Sequence, residues 1–270
     1  MEIIMKKTLS FIGCGNMAKA MIKGIIKSGF CSAQDIAAAD VQQGQAEAFA
    51  EETGIKYAES NSAAAEAADI VFLCVKPSQL EDVCTQTAHI LKEKTAVSIA
   101  AGVSVASLSD WLQSGTKIIR AMPNIPITVG EGMSVVCRSS SVSADETDFL
   151  ISLFSSFGKA VLIEEDRIDA FTAIASSSPA MLFILLEAMA DGGVMLGLSR
   201  ADSYTMAAQA MAGAAQMVLQ TKKHPAELKD AVCSPGGTTI EMVAVLENAG
   251  FRSAVIESMA ACYEKCSRMQ

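Results

Sequence analysis

Leu9-Ser10-Phe11-Ile12-Gly13-Cys14-Gly15-Asn16-Met17-Ala18 decides how this chain folds. The run through Ile12 reads as a strand, and it passes without a linker into G-x-G-x-x-A, after which Met17–Ser28 has helical apolar spacing. In that setting Gly13 makes a tight turn, and Gly15 lets backbone approach a pyrophosphate. The small Ala18 lets helix pack closely on strand. Gly13, Cys14, Gly15, Asn16, Met17 and Ala18 are therefore candidate cofactor-binding residues. A glycine turn in an ordinary α/β domain is the competing reading, and the strand before and helix after weigh against it. Asp40 closes the next strand, some 25 residues beyond Gly15. A carboxylate there accepts hydrogen bonds from the adenosine ribose and repels a 2′-phosphate. Val41-Gln42-Gln43 offers no Arg or Lys to hold that phosphate, so the residues favour NADH over NADPH. The alternative is that Asp40 is an N-cap for the following helix.

Outward from this motif, short apolar runs alternate with Ala-rich amphipathic segments. The expected strands are Thr8–Ile12, Ile36–Ala39, Ile70–Val75, Ala96–Ala100, Lys117–Ala121, Met133–Cys137 and Ala160–Ile163, with helices such as 17–28 and 42–52 between them. Several are almost wholly apolar, as strands covered on both faces are. The pattern predicts an α/β, Rossmann-like, doubly wound and mostly parallel sheet over residues 1–164. Beyond about Glu165 the strand signal fades. Helices are expected at 168–175, 180–196, 202–220, 225–231, 239–249 and 252–267, giving an all-α region over 165–270. That region is rich in Ala and Met and apolar on several faces, which points to a helical dimerisation domain. A compact domain with a Met-softened core is the alternative.

The 270 residues include 30 Asp and Glu against 21 Lys and Arg, a net charge of −9. No basic stripe is available for nucleic acid, so an anionic ligand must be held by local backbone donors. Met1–Lys7 is too short, and too quickly followed by a strand, for a signal peptide. The apolar run Ala180–Leu186 is closed by Glu187, which argues against a membrane span. Eight cysteines without a Cys-x-x-Cys pair suit reduced thiols, with no metal site and a cytoplasmic location.

A second glycine motif, Ser234-Pro235-Gly236-Gly237-Thr238-Thr239-Ile240, opens a helix. A helix starting on Gly-Gly-Thr-Thr gathers unpaired N–H groups, the positive end of the dipole and two hydroxyls, a ready site for a carboxylate. A plain N-cap turn is the other reading. The usual proton-moving groups are missing. None of Tyr57, Tyr204 and Tyr263 has a Lys four residues on. The two histidines, His89 and His224, fall on a helix and before a proline, and no lysine lies between Lys159 and Lys222. An imine substrate removes that need, because its nitrogen takes a proton from solvent and arrives activated toward hydride.

With these residues in view, the chain resembles the Δ1-pyrroline-5-carboxylate reductase family nearly end to end. The segment Leu228–Ile240 with Leu246-Glu247 is similar to the family signature. Phe11–Ala18, Cys74-Val75-Lys76-Pro77, Ser98–Val103, Arg120–Asn124, Gly130–Met133 and Ala190–Val194 match further motifs. The resemblance implies reduction of L-1-pyrroline-5-carboxylate to L-proline with NADPH or NADH, the last step of proline synthesis. It also implies a homodimer, assembled into decamers in several members, whose active site draws on both subunits. By the same resemblance Thr239 is the catalytic residue, its hydroxyl orienting the substrate nitrogen. Gly237, Thr238 and Thr239 bind the carboxylate, and Ser177 lies beside the substrate. Val75, Lys76, Pro77, Ala101, Gly102 and Asn124 line the nicotinamide and ribose, and Asn61 the adenosine.

Two departures bear on substrate fit. Ser176-Ser177-Ser178-Pro179 stands where the family commonly carries Gly-Ser-Gly-Pro, and Ile125 where a threonine is common. Two other functions remain: reduction of another cyclic imino acid, since one methylene is weakly discriminated, and a non-catalytic dinucleotide-binding protein. The intact carboxylate cradle argues against the second.

Overall fold

The computed structural model describes residues 7–268; Met1–Lys6, most of the stretch judged too short for a signal peptide, lies outside them. Residues up to Ser176 together with those from Tyr263 onward form one compact unit, and Ser177–Cys262 form another.

The first unit is built on β1 (Leu9–Ile12), β2 (Ile36–Ala39), β3 (Lys56–Tyr57), β4 (Ile70–Leu73), β5 (Thr95–Ser98), β6 (Lys117–Met122), β7 (Gly132–Arg138) and β8 (Gly158–Leu162). Its one sheet has the order β3-β2-β1-β4-β5-β6-β7-β8. Every neighbouring pair is parallel except β6 with β7. That reversal follows from the connection: a short 3-10 turn, Ile125–Val129, replaces the long crossover that parallel strands need. The two-residue β3 has too little sequence to show a strand period.

Helices α1 (Asn16–Ser28), α2 (Gln43–Thr53), α3 (Asn61–Glu66), α4 (Pro77–Leu91), α5 (Val105–Trp111), α6 (Ala144–Ser155) and α7 (Ile168–Phe171) complete the unit. The strands β1, β2, β4 and β5 are buried at every position. Their alternation divides the core: Leu9, Phe11, Ile70 and Phe72 pack on one face, and Ile12, Val71, Leu73 and Ala96 on the other. Phe11 and Phe72 stack with ring centroids 4.5 Å apart, and Phe72 meets Phe154 of α6 edge-on.

The compact units divide elsewhere than the strand-to-helix change at 164/165. Ile168 and Phe171 pack with Met122 of β6 and Val135 and Cys137 of β7, which keeps this segment with the strands. The expected helix over 168–175 is α7 followed by a π turn, Thr172–Ser176. Its widening begins where the Thr172 hydroxyl donates back to the Ile168 carbonyl at 2.9 Å.

The second unit contains α8 (Ser178–Met195), α9 (Arg200–Thr221), α10 (Pro225–Val232), α11 (Thr238–Asn248) and most of α12 (Phe251–Ser267). Gly193 lets α8 and α9 touch, since an added Cβ would lie 3.0 Å from Ser203 Cβ. Of residues 177–262 only Pro179, Ala190, Ser203 and Ala207 are buried. Phe183, Ile184, Met195, Met242, Val245 and Ile256 are all exposed. One helical stretch among the described residues, Glu165–Met195, is long and apolar enough by length and composition to cross a membrane, although Glu187 and Asp191 lie within it.

Gly24 in the middle of α1 gives a test of the packing. Helix propensity alone favours Gly24→Ala by about 1 kcal/mol. An added Cβ, however, would lie 2.6 Å from Phe157 Cβ, an atom held by its own backbone. Overpacking of this kind costs about 1–3 kcal/mol. Gly24→Ala is therefore expected to destabilise the fold, read as a lower urea midpoint; a raised midpoint would contradict this packing.

Candidate active site

A cleft of about 640 Å³ opens at the carboxyl ends of β1, β2 and β4. Its floor is the turn at Gly13. The Gly13 N–H donates to Ala39 O of β2 at 2.8 Å, while Cys74 N–H donates to Ile12 O at 2.7 Å. Gly13 has φ +95°, and a Cβ there would lie 2.7 Å from the Cys74 carbonyl oxygen. Gly15 is the N-cap of α1, and no side chain caps the helix. A Cβ on Gly15 would meet nothing within 4 Å. The first-turn N–H groups and the positive end of α1 therefore face open space, the geometry that takes a pyrophosphate. The residues present fit a dinucleotide.

Gly13, Gly15, Asn16, Met17, Ala18, Asp40, Asn61, Val75, Lys76, Pro77 and Ala101 all line this cleft. Asp40 is half-buried, and each carboxylate oxygen accepts a backbone bond: Oδ2 from Cys14 N–H at 2.6 Å and Oδ1 from Gln42 N–H at 2.8 Å. It is not the N-cap of α2, a place held by Gln42. Cys14 contributes its backbone, while its thiol packs into the core beside Cys74. Burial pushes both thiols up, so neither supplies a thiolate to the cleft. Lys76 is exposed at the N-terminus of α4, and Asn61 Nδ2 donates to Gln86 Oε1 at 3.2 Å.

Gly102 and Asn124 do not line the cleft. Gly102 follows Ala101 in a left-handed turn, φ +77°. Asn124 is buried, its Nδ2 donating to Ala175 O and its Oδ1 accepting from Met133 N–H, each at 2.8 Å. Its amide ties the end of β6 to the start of β7 and to the π turn. Sequence reasoning missed a second brace. Arg120, 3% exposed, donates through Nη1 to Glu165 Oε1 at 2.8 Å. The same oxygen accepts Val105 N–H at 2.8 Å, just after the Ala101–Gly102 turn. Arg120 sits in a strand where an apolar residue would fit, and that mismatch was the available signal. A separate cleft of about 720 Å³ runs between α1 and residues 125–130, where Ile125 and Val129 are exposed.

In the second unit, Gly236 turns the chain with φ +65°, and Gly237 N–H donates to Ser234 O at 3.0 Å. A Cβ on Gly237 would collide with Ser234 Oγ. Gly237 is the N-cap of α11 and no side chain caps it. Thr238 is exposed and Thr239 half-buried. Such a terminus attracts a carboxylate by about 0.3–1 kcal/mol when exposed and up to about 2 when partly buried. Charge-assisted hydrogen bonds add to it. Ser177 is exposed ahead of α8. Among the described residues positive φ outside glycine is confined to Glu93 and Lys222, so Ser176 and Ser178 take the place of glycines without backbone strain. Neither histidine is placed as a base. His89 is exposed in the last turn of α4, and His224 Nδ1 caps α10 by accepting Ala226 N–H at 3.1 Å.

Residues 165–269 match the family model described as pyrroline-5-carboxylate reductase dimerisation, and residues 8–102 that described as NADP oxidoreductase coenzyme F420-dependent. The chain is 45% identical to the pyrroline-5-carboxylate reductase of Escherichia coli (strain K12), covering 98% of this chain and 99% of that one. It is 38% identical to the enzyme of that name from Methanosarcina acetivorans, over 97% of each. The solved pyrroline-5-carboxylate reductase of Coxiella burnetii superposes with a TM-score of 0.93 at 30% identity, covering 98% and 99% of the two chains. The Plasmodium falciparum pyrroline carboxylate reductase, solved with NADP bound, gives a TM-score of 0.87 at 30% identity over 97% and 98%.

The two glycines of the loop separate folding from binding. Gly13→Ala forces a side chain into left-handed backbone against a carbonyl, and is expected to cost more than about 2 kcal/mol of stability. Gly15→Ala meets no protein atom and is expected to leave the urea midpoint nearly unchanged while weakening binding of the reduced dinucleotide at least about tenfold. Titration of the cofactor's fluorescence, beside unfolding curves for both variants, checks this.

Proposed function

Because the chain belongs to the pyrroline-5-carboxylate reductase family, which reduces the C=N bond of L-1-pyrroline-5-carboxylate to L-proline with NADPH or NADH, we propose that its cofactor lies in the cleft around Gly13 and Gly15. The carboxylate of its substrate lies on the uncapped start of α11. The observation that carries this reading is that helix start, where no side chain caps α11 and the backbone donors of Thr238 and Thr239 stand beside two hydroxyls, Gly237 N–H being turned to Ser234 O.

The bound nicotinamide supplies the hydride. The chain's own residues have lighter duties. The N–H groups of Thr238 and Thr239 and the Thr238 hydroxyl fix the carboxylate, which sets the orientation of the ring, while Gly237 N–H holds the turn through Ser234 O. The Thr239 hydroxyl hydrogen-bonds the ring nitrogen. A threonine hydroxyl is a poor acid, so it orients the iminium and relays a proton from solvent without being tuned to neutral pH. Val75, Lys76, Pro77 and Ala101 hold the nicotinamide end, Lys76 giving one positive charge in an acidic protein. Asn61 and Asp40 hold the adenosine end. Gly102, Asn124 and Ser177 act from the surroundings, Asn124 by holding the end of β6 in place.

The residues from 165 onward form a homodimer and then a larger ring, a decamer. The support is the physical state of residues 177–262, which bury almost none of their apolar side chains within one chain. A second copy covers those faces, including the apolar stretch Glu165–Met195, so that no membrane is involved. The net charge of −9 is consistent with a small-molecule partner and no nucleic acid. Eight cysteines without a Cys-x-x-Cys pair suit the cytoplasm.

Oxidation of NADH or NADPH with pyrroline-5-carboxylate, followed by absorbance, tests the assignment. Thr239→Ala is expected to lower kcat/KM about 10- to 100-fold, and Thr239→Ser to restore most of it. Turnover unaffected by Thr239→Ala would leave solvent alone handling the nitrogen. Absence of wild-type turnover with either cofactor would overturn the placement.

The assembly is tested by sedimentation. Wild type is expected to sediment as a multiple of the dimer, and Phe183→Asp with Ile184→Asp to give smaller, inactive species. A wild-type monomer that turns over would contradict it.

A further inference from the structure

We propose that Asp40 makes this cleft selective for NADH, because one carboxylate both anchors the phosphate-binding loop and occupies the place a 2′-phosphate would need. The inference rests on the cofactor reading above and narrows it.

The two bonds to Asp40 fix its charge in the wall of the cleft. Oδ2 is held by Cys14 N–H, inside the glycine loop, and Oδ1 by Gln42 N–H. Two carboxylate oxygens offer about four lone-pair sites, so each oxygen can still accept a ribose hydroxyl. They have nothing to offer a phosphate except repulsion, and the anchored side chain cannot swing away from it.

Among the described residues, the charge of Lys19 reaches as far as Cys14, but its ammonium is turned to an aromatic ring. Val41, Gln42 and Gln43 are uncharged, and Val41 is 80% exposed. Lys19 and Lys23 on α1 hold their ammonium groups 5.3 and 5.5 Å from the Phe49 ring, and Lys23 pairs with Glu52 at 2.7 Å. Both lysines line the other cleft. Lys76 follows β4, which lies on the opposite side of β1 from β2, where Asp40 ends the strand. It serves the far end of the dinucleotide.

The double duty has a consequence that simple repulsion lacks. Replacing the carboxylate by an amide leaves one N–H donor of the pair facing an NH₂ group, with no acceptor. Asp40→Asn should therefore relax the choice of cofactor and also weaken the loop.

Calorimetric titration of the full-length protein with NADH and with NADPH, without imine, tests this on wild type, Asp40→Asn and Val41→Arg. Wild type is expected to bind NADH at least about tenfold more tightly than NADPH, a difference of about 1.4 kcal/mol. Asp40→Asn should lower NADH affinity about tenfold and bring the two cofactors within about threefold of each other. Val41→Arg, at an exposed position that leaves the fold intact, should raise NADPH affinity about tenfold. Equal or tighter binding of NADPH by wild type would overturn the proposal. Asp40→Asn that gains NADPH with undiminished NADH affinity would overturn the double duty. Binding of neither cofactor would overturn the cleft assignment and this inference together. NADH binding of the expected selectivity without imine turnover would support the inference while striking the assigned reaction.

Discussion

The first unit depends on how closely β1 and β4 can approach at their carboxyl ends. Gly13 sits where a Cβ would press into the Cys74 carbonyl, and its φ of +95° is open to glycine. Its N–H is bonded to β2 while the Ile12 carbonyl is bonded to Cys74. One residue without a side chain thus fastens the central strand to both neighbours and turns the chain into α1. The turn also leaves the N-terminus of α1 uncapped, at the rim of the cleft. A residue bulkier than Gly13 would break the join of β1 to β4 before it reached the cleft.

Polar side chains at the strand ends serve as braces in the structure, and two of them, Asp40 and Asn124, read as ligand contacts in the sequence. Asp40 holds the glycine loop, Asn124 joins β6, β7 and the π turn, and Glu165 collects both Arg120 and Val105 on one oxygen. Buried polar groups need partners, and strand ends are where backbone N–H groups lack them. A polar residue placed there satisfies the backbone and, in doing so, loses the freedom to swing. At Asp40 the brace uses one bond per oxygen, so the carboxylate retains acceptor capacity toward the cleft.

The two units solve the burial problem differently. The sheet covers both faces with its own helices, whereas the helical unit shows most of its apolar surface. Helices that expose Phe183, Ile184 and Met242 present apolar surface suited to association, which the dimerisation model matched by residues 165–269 supports. The chemistry asks little of tuned side chains. An imine accepts a proton from solvent, so the reaction calls for no tuned base, and neither His89 nor His224 is placed as one.

The sequence by itself determined the architecture of both units and the two glycine motifs. G-x-G-x-x-A between a strand and a helix, and Gly-Gly-Thr-Thr at a helix start, are local patterns whose conformations need no distant partner. The almost wholly apolar runs of β1, β2 and β4 likewise announced strands covered on both faces. What tertiary structure decided lies in contacts across many residues. The reversal of β7 against β6 depends on a short connection in place of a helix. The attachment of Ile168 and Phe171 to the sheet depends on Met122 of β6 and Val135 and Cys137 of β7. The pairing of Asp40 with Cys14, 26 residues earlier, and of Arg120 with Glu165, 45 residues later, is set by where the strands end. Sequence spacing carries periods and turns; it carries no information about which orphan N–H a carboxylate will meet once the strands are side by side.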